Sequence, residues 1–171
     1  MKRAHRIQIQ RDLREAEGYL ELQMPTKALS ALDRIEDPGT FRGLSLYLRG
    51  EALRDLERYA EAIPYLTDAT DISPSNVGAW LALAWCQKRT DRLAQAIDSL
   101  NQALDVEPSN PLLHYNLACY YSLAREKQLA LASLARSLEL DRNYLDLIPD
   151  EEDFEPLRND PQFQDLTSII V

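Results

Sequence analysis

Four alanines stand 34 residues apart in this chain, at Ala28, Ala62, Ala96 and Ala130. The positions beside them repeat on the same period, as Leu29, Ile63, Ile97 and Leu131, and again as Leu32, Leu66, Leu100 and Leu134. A fixed period of this length is the sequence signature of a repeat array, in which each unit is too small to bury its apolar face alone and relies on its neighbours. The period therefore constrains the fold more than any other feature. It also narrows function, because such arrays hold other molecules on extended surfaces.

The clearest unit runs from Val77 to Asn110. Trp80, Leu83 and Ala84 share one face of a first helix at i, i+3, i+4 spacing, and Ala96, Leu100 and Ala103 do the same on a second. Small residues at Ala84, Ala96 and Ala103 allow two helices to approach closely. Pro108 ends the second helix, Asn110 is placed to cap the next, and Pro111 falls in a first turn where no amide proton is needed. The periodicity predicts helix pairs over 6–22 with 25–36, 41–56 with 59–72, 77–89 with 93–106, and 111–124 with 127–140. A last short helix should start at Asp160-Pro161 and carry Phe163, Leu166, Ile169 and Ile170.

In this unit Trp80, Leu83, Ala84, Ala96, Ile97, Leu100, Ala103 and Pro108 resemble the pattern of the tetratricopeptide repeat. Gly50, Tyr59, Ala62, Leu66, Ala69 and Pro74 carry the resemblance in the preceding unit, 43–76. His114, Leu117, Ala118, Tyr121, Ala130 and Leu134 carry it in the following one, 111–144. The departures are Arg49 for leucine, Ser137 for alanine, Arg142 for proline, and Ile35 for a small residue in a degenerate first unit near 6–42. The ending around Asp153-Phe154-Glu155-Pro156-Leu157 and Asp160-Pro161-Gln162-Phe163 resembles the closing segment of bacterial arrays of this family. The resemblance implies an all-α, right-handed α-solenoid of antiparallel helix pairs, one domain over 1–171, with 145–171 as a capping segment whose final helix covers the last repeat.

In such arrays the first helix of each pair lines the inner surface. The inner stripe reads Gln10, Leu13, Glu17, Leu20 in the first unit and Leu44, Tyr47, Glu51, Arg54 in the second. It reads Gly78, Leu81, Trp85, Lys88 in the third and Leu112, Tyr115, Cys119, Ser122, with Asn116 alongside, in the fourth. The candidate partner-binding groove is Leu44, Tyr47, Arg54, Leu81, Trp85, Lys88, Leu112, Tyr115, Asn116 and Cys119. Tyr and Trp are favoured binding anchors, and a contiguous apolar patch on a surface marks an interaction site. Arg54, Lys88 and Arg89 would give the groove a cationic centre, and Asn116 offers a donor and an acceptor to a peptide backbone. The competing reading, that some of these side chains pack against neighbouring repeats or the C-terminal helix, stays open. Trp80 reads as core, and His114, at the equivalent position, as a packed, hydrogen-bonded histidine.

The expected partner is another protein, as a peptide or helix. The co-chaperone clamp for acidic chaperone tails does not fit, because the matching positions are Leu13, Glu17, Leu48, Gly78 and Ala82, with only Asn116 of the clamp type. A formal net charge of −9 speaks against nucleic acid. No apolar run is long enough for a membrane span, and the start lacks a signal-peptide core, so a cytoplasmic protein is expected. No motif points to catalysis, a cofactor or a metal; Cys86 and Cys119 read as small core side chains, and the expected protein is not an enzyme. Charge is polarised: residues 1–34 carry seven basic against five acidic side chains, and residues 139–165 two basic against ten acidic. That asymmetry keeps one alternative open, a weak head-to-tail homo-oligomer; a second, a secretion-type assembly chaperone, rests on resemblance in size, repeat content and charge to small acidic tetratricopeptide chaperones of type III secretion.

Overall fold

The computed structural model describes residues 3–168, and among these the regular structure is entirely helical. Its α-helices are α1 (Arg3–Glu21), α2 (Pro25–Leu32), α3 (Arg42–Asp55), α4 (Tyr59–Ile72), α5 (Val77–Arg89), α6 (Leu93–Val106), α7 (Pro111–Leu123), α8 (Lys127–Leu140) and α9 (Pro161–Thr167). Three 3-10 segments complete it, Gly39–Phe41, Arg142–Asp150 and Glu152–Leu157. The 34-residue period thus becomes helix pairs close to the expected boundaries. The exception is α2, which stops at Leu32, four residues short. Beyond it the amides of Arg34 and Ile35 turn back to Ala31 and Leu32, and the Arg34 side chain reaches Asp12 (2.9 Å) and Glu15 (2.6 Å) on α1. Ile169 and Ile170, expected in the last apolar stripe, lie outside the described residues.

The chain divides into two compact units, Met1–Asp91 and Arg92–Val171. In the first, α1–α3 bury Ile9, Leu13, Ala16, Ala28, Ala31, Leu32, Leu48 and Ala52 together. A second cluster joins Leu53 of α3 to Ala62, Ile63 and Leu66 of α4 and Ala82, Leu83 and Cys86 of α5. The close approach of α3 to α4 depends on Gly50, where a Cβ would stand 2.4 Å from Leu66 Cγ. Leu13, read from the sequence as an inner-surface residue, belongs to this core. In the second unit α6, α7 and α8 pack in turn, around Leu100, Ala103, Leu113, Leu117, Ala118, Ala130 and Leu134.

The turn inside each helix pair is also built on the period. Gln23, Glu57, Asp91 and Arg125, each 34 residues from the next, all adopt left-handed backbone with φ between 56° and 62°. At three of these turns the next amide bonds a carbonyl five residues back: Met24 to Tyr19, Arg58 to Leu53 and Glu126 to Tyr121. This is the Schellman closure of a helix C-terminus, where glycine is the usual occupant.

Three of the four departures from the repeat pattern have physical partners. Arg49 pairs with Asp33 at 2.7 Å and lies over the Tyr65 ring. Buried Ser137 donates its hydroxyl to the Pro111 carbonyl at 2.9 Å, joining α8 to the start of α7. Ile35 packs against the first core cluster.

Candidate functional site

In the first unit the inner stripes of α3 and α5 lie side by side. A Cβ placed on Gly78 would meet the Tyr47 hydroxyl at 2.9 Å, so the tyrosine of α3 crosses onto the first turn of α5 where glycine leaves room. Leu44 and Tyr47 are half-buried against the core. Leu81, also half-buried, and Trp85 continue the stripe along α5. Trp85 is 42% exposed although its helix is otherwise well packed, and the Lys88 ammonium sits 5.6 Å from its ring centre. Its neighbour in sequence type, Trp80, is packed, with the indole N–H donating to the Pro74 carbonyl at 2.9 Å. His114 repeats that contact in the second unit, Nε2 to the Pro108 carbonyl at 2.9 Å. A carbonyl only accepts, so Nε2 carries the proton.

Arg54 does not supply an open cation. Its guanidinium pairs with Glu51 at 2.7 Å and with Asp55 at 2.9 Å. Burial raises the Glu51 carboxyl above its usual range while Arg54 draws it down, and the Tyr47 phenol hydrogen-bonds to Glu51. Burial, then the Glu51 charge, pushes Tyr47 up to about 12. The cations expected at the centre, Arg54, Lys88 and Arg89, each have a partner on the protein: Arg54 lies between two carboxylates, Lys88 over Trp85, and Arg89 over Tyr59 at 5.3 Å. Leu20, Glu21, Gln23, Pro25, Arg54 and Asp55 line a polar hollow of about 570 Å³ beside this network.

The second unit corrects the sequence reading. Leu112 is exposed (39%) and Asn116 half-buried, as a surface stripe requires, but Tyr115 and Cys119 are 4% and 2% exposed. The 3-10 segment Glu152–Leu157 packs on α7 and covers them. Phe154, fully buried, meets the Tyr115 ring edge-on at 5.7 Å, Tyr144 meets it from another side at 5.1 Å, and Phe163 stacks on Phe154 at 5.4 Å. Tyr115 and Cys119 therefore line no open groove. The cover was expected from the final helix, but α9 meets α8, and the 3-10 turn before it does the covering. The signal available in the sequence was the pair Phe154 and Leu157 inside an otherwise acidic stretch.

Sequence reasoning also missed one cluster. Ligand atoms of Cys119, Glu151 and Asp153 lie within 4.8 Å of one another beside Tyr115. Asp160 caps α9 as expected, accepting from the amides of Gln162 and Phe163, and it pairs with Lys127. No helix among the described residues is long and apolar enough to cross a membrane.

Two family models, both described as tetratricopeptide repeat, match residues 13–77 and 53–118 and so together span most of the chain. No curated protein matches this sequence. Among solved structures, a crystal structure of MamA superposes with a TM-score of 0.73 at 16% identity, covering 81% of each chain. MamA from Desulfovibrio magneticus RS-1 gives 0.71 at 18% identity over 79% of this chain and 76% of that one. YrrB, described as a TPR protein with an unusual peptide-binding site, gives 0.70 at 19% identity over 80% and 71%. The likeness of fold, the two family matches and the 34-residue helix pairs agree: this chain is a member of the tetratricopeptide repeat family, with the all-α solenoid fold of that family.

Proposed function

We propose that this protein is a non-catalytic binding module that holds an extended peptide or an amphipathic helix of a partner protein on the α3–α5 face of its first unit. The observation that carries the reading is Trp85, a large aromatic left 42% exposed with Lys88 against its ring and Leu81 one turn before it. Tryptophan is a costly residue to leave in water and a favoured anchor at interfaces. Leu44 and Tyr47 supply the neighbouring apolar floor. The half-buried Tyr47–Glu51–Arg54 network, joined to the exposed Asp55, braces that floor and presents polar groups at its end. The family is one of protein-interaction scaffolds, and YrrB, of like fold, carries a peptide-binding site in its description.

The test is capture of a partner from native lysate by wild type, Trp85→Ala, and Leu129→Ala as a control on an exposed leucine of α8. The captured segment is then titrated as a synthetic peptide. The expected result is binding weakened at least tenfold by Trp85→Ala and unchanged by Leu129→Ala, with helical circular dichroism intact in both. Equal binding by all three proteins would overturn the placement on this face. A salt-dependent oligomer with no captured partner would bring forward head-to-tail association.

A further inference from the structure

The covered face of α7 holds more polar chemistry than a packing surface needs. Tyr115, Cys119 and Ser122 follow one another at i, i+4 and i+7 on that face, and all three are buried. Among the described residues the hydroxyls of Tyr115 and Ser122 have no hydrogen-bond partner. A buried hydroxyl left unsatisfied costs about 1–3 kcal/mol, so two on one stripe call for a reason. Against this stripe the 3-10 segment brings two carboxylates. Glu151 caps the segment, accepting the Asp153 amide at 3.1 Å, and this turn folds both acids toward Cys119. The Cys119 sulfur and one oxygen of each acid come within 4.8 Å of one another. The Tyr115 hydroxyl shares their neighbourhood: burial first, then Cys119, Glu151 and Asp153, raise its pKa, and Arg158 opposes them. Arg158 is held there by hydrogen bonds to the carbonyls of Pro149 and Glu151.

We propose that Cys119, Glu151 and Asp153 bind one zinc-class divalent cation, with the Tyr115 hydroxyl facing its fourth position, and that this ion fastens the C-terminal segment to α7. One thiolate with two carboxylates is a donor set for a borderline-soft ion that accepts both sulfur and oxygen. Calcium and magnesium, which take oxygen ligands in larger number, do not suit it. Sulfur and oxygen would close on the ion to about 2.3 Å and 2.0–2.2 Å, a contraction that rotation of the two half-buried carboxylate side chains can follow. On binding, the Cys119 S–H proton is released to solvent and the thiolate takes the ion in its place. A water on the fourth position would accept the hydrogen bond that the buried phenol now lacks. Three anionic ligands around a dication leave a single negative charge, which Arg158 faces. The aromatic packing of Phe154 on Tyr115 already closes the segment over α7, and a bound ion would hold it closed more tightly.

The test is titration of the full, reduced, metal-free chain with Cd²⁺ and Zn²⁺. The Cd²⁺ arm reads the ultraviolet charge-transfer band of cadmium thiolate, and the Zn²⁺ arm reads hydrogen exchange across residues 142–157. The expected result is a band that saturates at one equivalent, persists in Cys86→Ser, disappears in Cys119→Ser, and needs at least tenfold more metal in Asp153→Asn. Zn²⁺ should slow exchange in the segment at least tenfold. Asp153 is partly exposed, so its variant tests the site even where Cys119→Ser perturbs folding. Absence of a band at stoichiometric Cd²⁺, a band that survives Cys119→Ser, or one indifferent to Asp153→Asn would each overturn the proposal.

Discussion

Phe154→Ala should cost the second unit about 3–5 kcal/mol, the range for removal of a fully buried phenylalanine. The side chain is 0% exposed and lies between Tyr115 on one side and Phe163 on the other. Returning the ring to water accounts for about 2–3 kcal/mol. Each of the two aromatic contacts adds about 0.5–1.5 kcal/mol beyond the buried area. The cavity can collapse only in part, because Tyr115 is anchored on α7 and Phe163 on the capped start of α9. The loss should be local, since repeat arrays are stabilised by neighbouring contacts. Both tryptophans, Trp80 and Trp85, lie in the first unit, so tryptophan fluorescence is blind to this change. Amide exchange is the suitable assay. The amides of Phe154, Arg158 and Asp160, bonded to the Glu151, Glu155 and Leu157 carbonyls respectively, should lose a hundredfold or more of their protection, about 1.4 kcal/mol per decade. The near-ultraviolet signal of Tyr115 should weaken with them. A loss below about 1 kcal/mol would refute the reasoning, for it would mean that the segment is held by something other than this aromatic cluster.

Two further outcomes follow from the first unit. Glu57→Gly should stabilise it: a non-glycine residue in left-handed backbone costs about 1–2 kcal/mol, glycine's freedom in the unfolded chain returns about 0.5–1, and thermal melting should rise by a few degrees. Asp12 is buried (1% exposed); burial raises its pKa, but hydrogen bonds from Gln8 and Arg34 outweigh that and hold it below the usual range. A lowered carboxyl stabilises above its unfolded pKa, and that contribution disappears as pH falls through the folded value. Denaturant melts of wild type should therefore weaken more steeply on acidification than those of Asp12→Asn, and parallel curves would remove Asp12 from the acid limb. Glu51, raised by burial, has the opposite sign and softens the same limb.

The helix pairs were legible because their information is local and repeated. Alanine at 28, 62, 96 and 130 marks each crossing, Asn110 and Pro111 mark a start, and the observed ends of α4, α5, α6 and α8 fall where the period places them. The left-handed turns at Gln23, Glu57, Asp91 and Arg125 were not legible, although they keep the same period. Their residues share no chemistry, since helix geometry and the Schellman bonds impose the conformation and no side chain is selected for it. The end of α2 was hidden for a different reason. Arg34 leaves the helical path to reach Asp12 and Glu15, a pairing across 22 and 19 residues that no local pattern displays.

The candidate site divides along the same line. Trp85 and Leu112 are exposed where helical spacing put them, because a stripe beside the buried one faces outward on any first helix that nothing covers. Tyr115 and Cys119 hold the same register and are buried, because the 3-10 segment after α8 folds over α7. Without it, α7 would leave a tyrosine, a cysteine and a serine open to water on one stripe. Here the chain covers that stripe with Phe154 and Leu157 from a 3-10 turn. One position can thus be groove in an interior repeat and core in a terminal one, with the same residue type in both. What decides between them is the segment that follows the repeat. In this chain the decisive marks were two apolar residues, Phe154 among the acids of 150–155 and Leu157 just after them, where an open, solvated segment would have had no use for them.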